Sequence, residues 1–273
     1  MTTPNATVGQ LIRQWRTRRR MSQLDLAAEA QISQRHLSFV ESGRAVPSRD
    51  MVLHLAEQLD VPLRERNHLL LAAGLAPSFS ERTLDDPSLA PAMAAVQLVL
   101  KGHEPNPAIA VDRHWNMVAA NAAIAPFLQG VEEPSLLAPP VNVLRLSLHP
   151  KGLAPRIANL NEWRGHLIHR LRRQNDAVAD PVLIELESEL SSYPGAARGA
   201  PAVRAKNCAA IAVPLRLEMA GEVLSFISTI TIFGTPLDVT LSELAVESFF
   251  AADARTAETL RKMGETSSPR QAA

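Results

Sequence analysis

The chain carries a single cysteine, Cys208, in 273 residues. One thiol excludes an intrachain disulfide and any zinc site built from several cysteines. It suits a reducing compartment, so a cytoplasmic protein is expected, and its simplest role is that of a packed thiol. Long apolar runs are missing as well, and no stretch reaches the ~18 residues of a membrane span. The first residues are polar, without the charged-then-apolar order of a signal peptide, so no membrane partner is expected. Catalytic signatures are equally scarce: there is no G-x-S-x-G elbow, no Walker loop, no H-E-x-x-H and no dinucleotide fingerprint. The expectation is therefore a protein that is not an enzyme. His166 and His169 stand three apart, but zinc needs more ligands in a defined geometry, and no motif points to haem. No metal or cofactor is expected, and no long internal repeat is visible.

Hydrophobic residues make up 46% of the chain and charged residues 21%, enough apolar material for true cores. The length suggests about two domains. A net charge of zero hides an asymmetry: residues 1–76 hold ten arginines, no lysine and seven acids, and the remainder holds 18 basic and 21 acidic residues. A small basic module joined to an acidic one suits a nucleic-acid binder with a regulatory partner.

Residues 1–76 read as five short helices. Val8, Leu11, Ile12 and Trp15 recur at helical spacing. Ser22, Ser33 and Ser48 are candidate caps for the second, third and fourth helices, Gly43 closes the third, and Pro62 opens the fifth. Two helices joined at Gln31–Ile32, the second capped and polar outside, fit a helix-turn-helix. Leu26, Ala27, Ile32, Leu37 and Val40 can share a small core, which leaves Gln34, Arg35 and Ser38 projecting together. Glutamine matches the paired groups of adenine and arginine the acceptors of guanine. Gln23, at its helix start, can meet a phosphate.

The stretches SQLDLAAEAQISQRHLSFVESGRAVPS and LAEQLDVPLRERNHLLLAAG resemble the helix-turn-helix domain of the XRE family of bacterial repressors. The resemblance implies base contacts from Gln34, Arg35 and Ser38. It implies phosphate contacts from Gln23, Ser33 and Arg44, and an Arg16–Glu41 ion pair bracing the helices. Phe39 would touch a thymine methyl or pack on a second subunit.

Residues 77–92, with three prolines in the stretch 75–92, form a linker candidate, and residues 93–260 change to a mixed α and β pattern. AIAVDRHWNMVAANAAIAPFLQG reads as two short strands around Asp112, then a helix capped at Asn121. Helices are expected over Asn161–Gln174 and Asp180–Leu190. Alternation marks a strand over Ala209–Met219, with Ile211 on its apolar face, and another over Glu222–Phe233 with Leu224, Phe226, Ile230 and Ile232 on one face. Leu244–Phe250 is a further candidate, and residues 261–273 are expected to be a disordered tail. The fold class is thus an all-α helix-turn-helix domain plus an α+β domain with an antiparallel sheet, the latter resembling a PAS domain.

VNVLRLSLHPKGLAPRIANLNEW and LSFISTITIFGTPLDVTLSELAVESFF resemble XRE regulators that carry an MmyB-like ligand-binding domain of PAS-like fold. That resemblance implies a small apolar effector, a fatty acid or acyl compound. Leu215, Leu217, Phe226, Ile230 and Phe249 are candidates for the inner face of the sheet. Ser228 would leave room for a ligand or bond to a backbone carbonyl. Arg145, His149 and Arg156 would clamp a carboxylate or lie on the surface. Trp163, His166, Arg170 and Arg173 on one helix read as a solvated basic edge or dimer surface. The function expected is a sequence-specific, homodimeric transcription regulator on a double-stranded operator, controlled by a small ligand. A small-molecule enzyme with an accessory DNA-binding part, and a protein–protein interaction module, stay open as alternatives.

Overall fold

Five helices follow one another at the start, and the first four are opened by side chains that cap their orphan amides. α1 (Val8–Arg18) has a reciprocal capping box of Thr7 and Gln10, and α2 (Gln23–Glu29) one of Ser22 and Asp25. The Ser33 hydroxyl accepts from His36 N at 3.1 Å to open α3 (Gln34–Glu41). Ser48 does the same for α4 (Arg49–Gln58), and Pro62 precedes α5 (Leu63–Ala72). Gly43, with φ of +76°, takes the left-handed turn that ends α3. Ile12, Leu26, Leu37, Val40, Leu55 and Leu70 are wholly buried at the centre of this unit. The computed structural model describes residues 6–178, 180–195, 213–219, 221–233 and 238–267. Cys208, Ile211 and the first residues of the strand expected from 209 lie outside that set.

The stretch read as a linker starts fastened to the helices. Asn67 of α5 is buried, and its Oδ1 accepts from Ser78 N and Phe79 N while its Nδ2 donates to Phe79 O. The helical unit accordingly runs to Thr83.

The second unit is built on one sheet. α6 (Ala90–Gly102) carries Pro91 in its first turn, where a missing N–H costs nothing. Then come β1 (Ala108–Val111), β2 (Met117–Ala120), α7 (Ala125–Leu128), α8 (Val143–Leu148), α9 (Leu160–Val178) and α10 (Pro181–Ser192). β3 (Leu215–Met219) and β4 (Glu222–Ile232) follow, then α11 (Val239–Ser242), which groups with the helical unit, then β5 (Ala245–Ala251) and α12 (Ala254–Ser267). The strands lie in the order β2-β1-β5-β4-β3, all antiparallel, the PAS-like arrangement. Among the described residues no helix is long and apolar enough to cross a membrane.

Three sequence expectations need correction. Asn121 does not cap a helix through its side chain. It is buried, accepts from Ala108 N, and donates to Leu100 O and Asn106 O, so it ties β1 to the end of α6. The chain does not lose order at 261: α12 continues to Ser267, started by Asp253 accepting from Thr256 N and anchored by buried Leu260. Ile230 and Ile232 share the parity of Phe226 but are 39% and 65% exposed. A period of two fixes the side of a strand, not how far its cover extends.

Gly9 lies where α1 meets α3. A Cβ there would stand 2.2 Å from Val40 O and 2.9 Å from Glu41 O. Gly165, on the exposed side of α9, would meet nothing within 4 Å. Alanine normally stabilises a helix interior by roughly 0.5–1 kcal/mol over glycine. Gly165→Ala should therefore raise the urea midpoint, while Gly9→Ala should lower stability by about 1–3 kcal/mol through overpacking. Equal shifts of one sign in both variants would show that the α1–α3 approach is not tight.

Candidate functional site

The first site is the outer face of α3. Its inner face is spent on Leu37 and Val40, both fully buried, so the helix has one orientation in the unit. Gln34 and Arg35 are exposed and Ser38 is half-buried. Phe39 is half-buried too, with the guanidinium carbons of Arg35 and Arg44 at 5.3 and 5.9 Å from its ring centre. The ring is a shared platform that keeps two cations on one surface. Ser33 spends an acceptor site on His36 N, and its hydroxyl proton stays available to a phosphate.

Behind this face sits a buried carboxylate. Glu41 accepts from Arg16 Nε at 2.7 Å and Nη2 at 2.9 Å, and from Gln23 Nε2 at 2.7 Å. Arg16 also donates to Met21 O. The bonded carboxylate holds the Arg16 guanidinium above its usual range. The pair implied by the resemblance is therefore present, and Gln23 joins it. The Gln23 side-chain amide donates to Glu41, which leaves the backbone N–H groups at the start of α2 facing outward as the free donors there.

The second site is a cavity of about 100 Å³ inside the sheet unit. Leu215, Leu217, Phe226 and Phe249, all expected on the inner face of the sheet, line it. Helices supply the opposite walls: Phe127 and Leu128 from α7, Val143, Leu144, Leu146 and Ser147 from α8, and Trp163 and Leu167 from α9. Ser147 is held by Trp163, whose Nε1 donates to its hydroxyl at 3.0 Å.

The other candidates lie off the cavity. Arg145 pairs with Glu189 at 2.8 Å, and that bond raises its pKa. His149 accepts from Lys151 N and packs edge-on against Tyr193. Arg156 donates to Phe127 O, and burial lowers its pKa. These three do not converge on a carboxylate site. Ser228 stands opposite Phe249 in the β4–β5 ladder, and neither it nor Ile230 is among the lining residues.

Arg170 and Glu247 are the charged lining residues among those described, and Arg170 overturns the reading of a solvated basic edge. Its side chain is 20% exposed, and its Nη1 and Nη2 face Glu247 Oε1 and Oε2 at 3.1 and 3.4 Å. Its guanidinium carbon lies 4.2 Å from the centre of the Trp115 ring. Trp115 has φ of +67°, rare for a bulky residue, and its Nε1 donates to Gln174 Oε1 at 2.8 Å. The signal missed in the sequence was the spacing of Trp163, Leu167 and Arg170, which places the arginine on the buried stripe of α9.

The two candidate sites are thus an exposed polar face on α3 in one unit and an apolar cavity with a buried ion pair in the other. The family described as "MmyB-like transcription regulator ligand binding domain" matches residues 92–263, and the family described as "Helix-turn-helix" matches residues 12–66. The chain belongs to the MmyB-like family through its ligand-binding domain, and the two matches together are those of a ligand-regulated, DNA-binding transcription regulator. No curated protein matches the chain.

His166 stacks on Trp163 one turn before Arg170. Burial first, and then the Arg170 charge, lower its pKa. A depressed histidine pKa means the unfolded chain binds more protons, so stability present above the unfolded value of ~6.5 is lost as pH falls below it. Followed by NMR, the His166 ring should titrate below that value, and His166→Gln should flatten the loss of stability just below pH ~6.5. A ring titrating above it would contradict the packing described.

Proposed function

We propose that the protein is a homodimeric regulator whose affinity for a double-stranded operator is set by a small apolar ligand, a fatty acid or acyl compound, held in the sheet cavity. The observation that carries this reading is the coexistence of a rigidly oriented polar face on α3 with an apolar cavity in the family's ligand-binding domain. Gln34, Arg35 and Ser38 read base edges, while Ser33, Arg44 and the start of α2 at Gln23 hold phosphates. Phe39 keeps Arg35 and Arg44 in place and can meet a thymine methyl. A pair of such helices reads two half-sites, which is the reason for a dimer. Leu215, Leu217, Phe226 and Phe249 form the sheet wall of the ligand site.

Selection from random duplex DNA tests the reading. The wild type should enrich one pattern, and Gln34→Ala and Arg35→Ala should each relax one position and weaken binding to it by about 1–3 kcal/mol. Arg44→Ala should weaken binding to all sequences alike and reduce its salt dependence. Absence of any enriched sequence at moderate salt would sink the proposal.

A further inference from the structure

β4 and β5 are antiparallel neighbours in the sheet, and a turn of ~2–5 residues is enough to join such a pair. Here β4 ends at Ile232, β5 begins at Ala245, and the added length carries α11, which belongs to the helical unit. Asp238 and Ser80 form a parallel bridge in that unit, and Val239 N donates to Ser80 O at 2.8 Å. Thr240 Oγ1 donates to Arg82 O. Val239 is wholly buried and Asp238 nearly so. The Asp238 carboxylate accepts from Thr240 N and Leu241 N, which starts α11, and faces Arg82 at 4.0 Å. Ser78 and Phe79 are in turn held by Asn67 of α5. A line of bonds therefore runs from α11 through the strap Ser78–Arg82 to α5, all inside the unit that carries the candidate DNA face.

On its other side α11 has little slack. Glu243 and Leu244 separate it from β5, and Leu244 is buried. Two residues extend by at most ~7 Å. β5 is the middle strand, bonded to β1 on one side and β4 on the other, so its residues move together. It places Glu247 and Phe249 on the cavity wall. A ligand that displaces Phe249 thus pulls on a strand whose start is tied, two residues away, to α11.

We infer that α11 is the element that couples the cavity to the DNA-binding unit: occupancy of the cavity shifts β5, and Asp238, Val239 and Thr240 carry the shift through Ser80 and Arg82 to α5. A ligand acts through such a link when it favours one of two positions of the segment, and the two positions differ in their DNA-binding arrangement. The inference rests on the reading of the protein as a regulator whose cavity holds the ligand.

The test measures the Kd of the full chain for a selected duplex with and without saturating octanoate, whose binding is followed by NMR through the indole N–H of Trp163. Wild type is compared with Thr240→Val and with a chain that has two glycines inserted between Ser242 and Glu243. Octanoate should shift the wild-type Kd at least about fivefold. The insertion gives the link slack and should bring that shift below about twofold, with the duplex Kd without octanoate and the octanoate affinity both within about twofold of wild type. Thr240→Val keeps the side-chain shape but loses the bond to Arg82 O, and should show a smaller shift than wild type. A full wild-type shift in the insertion chain, or in Thr240→Val where the insertion chain does not fold, would overturn the inference and leave the regulator reading intact. A wild-type Kd that stays fixed while octanoate occupies the cavity would overturn the regulator reading, and an unmoved Trp163 signal would overturn the cavity reading itself.

Discussion

Glu247 is a carboxylate in the middle strand of a sheet, and a charge there has to be paired where it stands. The partner comes from α9. Arg170 faces it with two nitrogens and lies on the Trp115 ring, and Trp115 is in turn held by Gln174 one turn further along the same helix. Gln174 donates to Arg113 O, so the β1–β2 turn is tied to α9 by a continuous chain of polar contacts. This fixes the distance between helix and sheet at one end. At the other, Trp163 and Ser147 join α9 to α8. The cavity lies between these two clamps.

The helical unit uses the same device on a smaller scale. Glu41 is buried at the end of α3, the helix proposed to read DNA, and Arg16 and Gln23 converge on it from α1 and α2. Three helices are thereby locked to one carboxylate. Removing a single partner from such a cluster leaves a buried charge uncompensated, at about 3–5 kcal/mol. The gain is orientation: with Leu37 and Val40 fully buried and Glu41 pinned, the outer face of α3 has a single presentation. A reading helix needs that, since bidentate contacts to bases are directional.

Much of this was legible in the sequence. Ser22, Ser33 and Ser48 gave the helix starts, and Gly43 the stop, because capping is local chemistry. The alternation in Leu215, Leu217 and Phe226 gave the inner face of the sheet. What escaped was long-range. Arg170 looked like part of a solvated edge, since nothing near it in sequence shows that Glu247, 77 residues on, lies opposite. Arg145 and Arg156 were read as either an anion clamp or surface arginines, and they pair with Glu189 and Phe127 O. Asn121 had the residue type of a cap, and the fold uses it as a bridge between β1 and α6. In each case the residue type was read correctly as polar and committed, but its partner is set by topology.

Coupling between the cavity and the reading face is the heart of the account. A ligand changes operator affinity only if it binds the DNA-competent and incompetent arrangements unequally. The direct measurement is the Kd for a selected duplex with and without a saturating cavity ligand, in wild type and in a variant whose cavity is filled, such as Leu217→Trp. The account predicts a shift of roughly 5–150-fold in the wild type, with the ligand's own affinity shifted by the same factor when DNA is bound, and no shift in the filled variant. An operator Kd that does not move while the ligand demonstrably occupies the cavity would contradict it.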